Sequence, residues 1–148
     1  MILSAHGIHL ELPAGWSGQA FSRQGLARVH AGDFPLALGD GEFGDESTSR
    51  MPQPASFLAL AEYRPGAGLE PGRGLFESHK LPLPLDPAAF SPTGLAHPRP
   101  GQAGMQHFFA HAGRPFCLYV VLAGARSERR RQLLAADRVL RSLTIASR

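Results

Sequence analysis

Eight of the chain's thirteen prolines fall between residues 64 and 102, at positions 65, 71, 82, 84, 87, 92, 98 and 100. Proline lacks a backbone N–H and its ring clashes with the preceding turn, so no long helix can run through this stretch. Extended or polyproline-like chain lying over the surface is what remains, with room for a short strand around Gly74 to Phe76 and a turn around Ala88 to Phe90. Seventeen glycines add to this punctuation. Together they argue against a helical bundle and for short strands joined by many turns.

The flanks carry the strands. Ile8, Leu10 and Leu12 alternate with His9 and Glu11 in a run from His6 to Leu12, the two-residue period of a half-buried strand, which Pro13-Ala-Gly-Trp16 ends. Further strands are expected at Gln19 to Arg23 and Leu26 to His30. Ala31 to Leu38 is compatible with an edge strand because of Pro35. Residues 39 to 54 have no apolar period and read as a long surface loop. The apolar run Ser56 to Tyr63 is bounded by Pro54 and Pro65 and reads as a central strand. Gln106 to Ala112 and Pro115 to Ala123, joined by Gly113-Arg114, predict an antiparallel hairpin. Its second strand is apolar on both faces and therefore central.

From Ser127, a candidate N-cap, to about Leu143 the pattern becomes helical. Leu133, Ala136, Val139, Leu140 and Leu143 form an apolar stripe suited to packing on a sheet, and a Thr144-Ile145 tail is placed for a final pairing. The expectation is one α+β domain over 1–148, a central antiparallel sheet with a C-terminal helix packed on it and a proline-rich irregular middle.

His30-Ala-Gly-Asp-Phe-Pro-Leu36, Glu42-Phe-Gly, Phe57 to Tyr63, Gly101-Gln-Ala-Gly104, His107-Phe-Phe109 and Gly113 to Val121 resemble a family of uncharacterised bacterial proteins, mostly actinobacterial. Leu12-Pro-Ala-Gly-Trp16 and Val139-Leu-Arg-Ser-Leu143 are more remotely similar to the PsbP-like superfamily, which includes a photosystem II extrinsic protein, a Ran-binding nuclear factor and bacterial secretion chaperones. That resemblance implies an antiparallel sheet sandwiched by helices and used for binding rather than chemistry. The proline-rich middle departs from it, standing where such proteins carry a helix. No functional residue carries over.

Chemistry-bearing motifs are missing. His107 and His111, four apart on a strand, lie about 13 Å from each other, whereas a zinc pair at that spacing needs a helix. The acidic loop with Asp40, Glu42, Asp45 and Glu46 lacks the residue order of a calcium loop. No nucleophile elbow, Ser-x-x-Lys pair or phosphate loop occurs. Cys117, the single cysteine, sits among apolar neighbours, where burial protects a thiol. No metal, cofactor or catalytic residue is therefore assigned, and the reading points away from an enzyme. With no apolar run long enough for a bilayer and no signal-peptide pattern, a cytoplasmic location is expected.

The formal charge of +3 is unevenly spread: residues 1–70 carry four Arg against eight acids, and residues 71–148 carry eleven cations against four acids. Arg130, Arg131, Arg138 and Arg141 share one face of the C-terminal helix with Leu134, outside the apolar stripe. This face is the candidate surface for an acidic protein partner or for self-association. Specific nucleic-acid binding is not expected, since no aromatic is interleaved with these arginines. Two function classes follow: a non-catalytic interaction module with a chaperone-like or complex-assembly role, or a small enzyme or small-molecule binder. The second would have a pocket under the proline-rich segment and convergent residues such as Glu62, Tyr63 and Arg114.

Overall fold

A computed structural model describes all 148 residues. Eight strands, β1 (Ile2–Ala5), β2 (Ile8–Glu11), β3 (Ser17–Arg23), β4 (Leu26–Gly32), β5 (Ala55–Glu62), β6 (Gln102–His111), β7 (Arg114–Ala123) and β8 (Thr144–Ile145), form two antiparallel sheets. The larger sheet has the order β3-β4-β5-β7-β6, and the smaller β1-β2-β8. A short helix α1 (Asp45–Ser49) lies in the long loop, and α2 (Arg129–Arg141) follows the last long strand. The protein is thus α+β with antiparallel sheets and a C-terminal helix packed on them.

Three hairpins share one turn chemistry. His6-Gly7, Gln24-Gly25 and Ala112-Gly113 all have both central residues at positive φ, between 53° and 78°. A two-residue loop of this hand matches the right-handed twist of the flanking strands, and glycine at its second position carries the left-handed conformation without strain. Two expectations shift accordingly. The opening strand begins at Ile8 rather than His6, because His6 and Gly7 are the turn of a hairpin with β1. The loop of the β6–β7 hairpin is Ala112-Gly113, one residue earlier than Gly113-Arg114, and Arg114 already pairs with His111.

The two-faced apolar strands are central, as their patterns require. β5 and β7 are buried at every position and pair with each other from Ala55↔Ala123 to Glu62↔Phe116. One face of the large sheet, with Leu58, Leu60, Phe116, Leu118, Val120 and Leu122, meets Leu133, Ala136, Val139 and Leu140 of α2 and Ile8, Leu10 and Ile145 of the small sheet. Gln132, buried in this seam, donates to the carbonyls of Ala55 at 3.1 Å and Ala123 at 2.9 Å, tying the helix to the ends of both central strands. The opposite face, with Phe57, Ala59, Tyr119 and Val121, is covered by Phe34, Leu36, Phe43, Met51 and Leu95.

That cover explains further departures from the sequence reading. Residues 33 to 38 form no edge strand, because β4 is already paired on both sides and Phe34 packs on Phe57, ring centroids 6.4 Å apart. The loop from Gly39 to Pro54 is organised by the Asp40 carboxylate, which accepts from the backbone N–H groups of Gly41, Glu46 and Ser47 at 2.7, 3.0 and 2.7 Å. Hydrogen bonding rather than apolar period holds α1, so periodicity could not reveal it. Gly74–Phe76 is a 3₁₀ turn and not a strand, as is Pro87–Ala89. Ser127 is not the N-cap of α2: it lies within a 3₁₀ turn, Arg126–Glu128, and the cap position, Glu128, makes no side-chain cap bond.

Candidate functional site

The proline-rich segment forms a strap across the edge of the sheet and the flank of α2. Ala110 donates to the carbonyl of Ser78 at 2.8 Å, and a ring nitrogen of His107 lies 2.9 Å from the carbonyl of Lys80, fixing the strap's start on β6. Leu81 and Leu83 pack against the main core, and Leu85 and Phe90 are buried in it. The N–H of Leu85 donates to Oδ1 of Asp137 at 2.8 Å in a buried bond that pins the strap to the helix. Asp86 caps the turn that follows through the N–H of Ala88 at 2.9 Å, with Pro87 at its first position.

Between strap and helix lies a cavity of about 790 Å³, open along its outer side. One wall is Pro84, Leu85, Pro87, Ala88 and Phe90; the other is Arg126, Arg129, Arg130, Leu133, Leu134 and Asp137. Arg126, Arg129 and Arg130 enter no ion pair. They stand at the positive end of the helix dipole, where each exposed cation is disfavoured by about 0.3 to 1 kcal/mol. Leu134 is 62% exposed at the rim. The outcome is an apolar trough whose mouth is strongly positive, with Asp137's carboxylate already engaged by the strap.

The face proposed from helical periodicity is divided by this geometry. Arg130 and Leu134 border the trough, and Arg141 borders a second depression near the helix's other end. Arg131 leaves the set by pairing with Glu128, and Arg138 stands on the far flank of the helix near Met1, Ile2 and Glu11. The helical wheel gives the reason: at about 100° per residue, Arg130, Leu134 and Arg141 lie within about 40°, whereas Arg138 and Arg131 are about 80° and 100° round from Arg130. Sequence reasoning missed Arg126 and Asp137, and it placed Arg129 in the first turn of the helix without including it in the candidate face. A signal existed for Asp137, an acid about 40° from Leu133 and so beside the apolar stripe, which implies a polar partner waiting there.

Glu62 and Arg114 do meet, as a closed clamp. Nε and Nη2 of Arg114 donate to Glu62 Oε2 and Oε1 at 2.9 and 3.2 Å, and the N–H of Ala27 donates to Oε1 at 3.0 Å. Arg148 completes the group through Nε to Oε2 at 2.9 Å. The remaining guanidinium donors of Arg114 reach the carbonyls of His6 at 3.0 Å and Ala146 at 2.9 Å. Burial alone would raise the Glu62 carboxyl, but the bonds from Arg148, Arg114 and Ala27 outweigh it and hold the group at about 2. Neither residue lines either of the two larger depressions.

Tyr63, next along the strand, points to the opposite face. It packs on Phe76 and Phe108 at 5.8 and 6.3 Å and does not join the clamp. Burial, with Cys117 and Glu42 nearby, pushes its phenol up. Burial likewise pushes the Cys117 thiol up to about 12, which leaves no nucleophilic thiolate near neutrality. His30, fully buried between Phe21 and Phe57, is held below its ordinary 6.5 by desolvation, although its Nε2 lies 3.3 Å from the carbonyl of Glu42. No three His, Cys, Asp or Glu side chains converge as a metal site would require, and no helix is long and apolar enough to cross a membrane. Comparison with known proteins yields no matching family model, no similar curated protein and no similar solved structure.

Proposed function

We propose that this protein is a non-catalytic interaction module that docks an acidic, partly apolar segment of a protein partner in the trough between the strap and α2. The observation that carries it is the set of three unpaired arginines around an apolar trough at the end of a helix where cations are locally unfavourable. An anion seated there removes that repulsion and adds charge-assisted hydrogen bonds. Arginine beside apolar side chains is also the composition that protein interfaces favour. The trough is open and its rim leucine is exposed, whereas a small-molecule site encloses most of its ligand.

The partner is a different chain. In residues 1–70 the acids are mostly engaged within the molecule: Glu42 with Arg28, Asp45 with Arg99, Glu46 with Arg50, Glu62 with Arg114, and Asp33 and Asp40 with backbone N–H groups. A second copy would offer the unpaired Glu11, Glu70 and Glu77, of which the last two flank Arg73 and the buried Phe76 and so present no free acidic segment. Nucleic acid fits less well, since Phe90, the one aromatic in the trough, is buried and has no face for a base. A cytoplasmic module with a complex-assembly role accords with this reading. So does the remote likeness of its end motifs to the PsbP-like superfamily.

The test is fluorescence anisotropy with a dye-labelled peptide of alternating Glu and Leu, against the parent and an Arg126→Gln, Arg129→Gln, Arg130→Gln variant, over a salt series. Salt-sensitive binding that weakens by about tenfold or more in the variant is expected. Equal binding by both, or none by the parent, overturns the proposal. The volume of the trough also suits a small molecule. Native mass spectrometry showing a stoichiometric retained metabolite would move the assignment to that second reading.

A further inference from the structure

A second depression, of about 360 Å³, lies on the same flank of α2 nearer its C-terminus. It is bounded by the start of the strap, the end of β6 and the last turn of the helix. Its rim carries His79, Lys80, His111 and Arg141, its floor is apolar, and no carboxylate lines it. None of these four side chains is in an ion pair. The two depressions share the strap and the helix as walls, and the bond from Leu85 to Asp137 lies in the wall of the first.

Resting on the reading of the trough above, we infer that the second depression is another anionic subsite for the same partner, so that the docked segment is extended and carries two acidic groups separated by apolar residues. The ridge of α2 supplies the track. Arg130, Leu134 and Arg141 lie on one line of the helix, with a cation at each end and an exposed leucine between. At about 1.5 Å per residue Arg130 and Arg141 are about 16 Å apart along the axis. An extended peptide rising about 3.3 Å per residue covers that distance in about five residues. Two acidic groups at that spacing reach both basins at once, the second binding as an intramolecular event. One acidic cluster reaches only one.

The experiment uses two dye-labelled peptides of identical composition, one with a Glu pair at each end of a four-residue Leu/Ala/Ser stretch, the other with all four Glu at one end. Affinities are measured for the parent and for a Lys80→Gln, Arg141→Gln variant, whose two positions are exposed surface. The spaced peptide is expected to bind the parent at least about tenfold more tightly than the clustered one, and the variant to lose that advantage. Equal affinities in the parent, with the clustered peptide still bound, overturn this inference alone. So does an advantage that survives in the variant. If neither peptide binds the parent, the trough reading falls with it.

Discussion

Glu62 shows how one buried residue couples distant parts of the chain. Its two oxygens accept from β7, from the backbone of β4 and from the C-terminal arginine, and Arg114 in turn holds the β1–β2 turn and the tail. Removing one partner of a buried pair leaves the other charge uncompensated, so Glu62→Gln is expected to destabilise the fold by about 3 to 5 kcal/mol. Chemical denaturation measures it, and a loss too small to detect would show that the clamp contributes nothing net. The same residue sets an acid limit. Its folded-state value of about 2 lies below its ordinary 4.5, so its contribution is complete above pH 4.5 and disappears as pH falls toward 2. His30 acts earlier with the same sign. Its folded value is below 6.5, so the unfolded chain takes a proton that the native chain refuses, and stability declines once pH drops under 6.5. Denaturation midpoints should therefore fall in two stages between pH 7 and pH 3. In His30→Gln only the lower stage should remain, and a one-stage decline in the parent would remove His30 from this account.

At the scale of elements, α2 has two roles that its sequence keeps apart. Leu133, Ala136, Val139 and Leu140 are buried against the sheet, and Gln132 satisfies two strand-end carbonyls. The flank with Arg130, Leu134 and Arg141 lies outside that packing and borders the two depressions. Leu140, 4% exposed, stands in the main core. Leu140→Asp would place an unpaired charge there, and the cost of such burial exceeds what a domain of this size can lose. Circular dichroism should show no cooperative thermal transition for this variant. If it melts like the parent, α2 does not pack as described. The strap is the complementary case, an element without long regular secondary structure that is ordered by the buried side chains of Phe76, Leu85, Phe90 and Leu95, by its bonds to β6 and by one carboxylate on α2.

For the whole molecule, stability rests on one apolar core between the large sheet, the small sheet and α2, a second apolar cluster on the sheet's other face, and the Glu62 clamp. None of these calls on a metal. The thermal midpoint of tag-free protein is expected to be unchanged by EDTA, and a shift of several degrees, with a stoichiometric metal in elemental analysis, would contradict that. Most of the architecture could be read directly from the chain. Two-sided apolar runs identified β5 and β7 as central, one-sided periodicity identified α2, and the prolines excluded a long helix between residues 64 and 102, where only 3₁₀ turns form. These are local properties, decided within a few residues by side-chain period and backbone geometry. The order of the strands, the fold of residues 33 to 54 over Phe57 and the course of the strap depend on contacts between residues far apart in sequence, which periodicity does not encode. The same holds for the candidate site. Helical spacing both groups Arg130, Leu134 and Arg141 and sets them apart from Arg131 and Arg138, but the juxtaposition of Arg130 and Leu134 with Pro84 to Phe90 arises only when the strap is pinned to Asp137. The division has a physical basis: a lone segment determines which face it must bury, and only the packed chain determines what covers that face and which flank stays open.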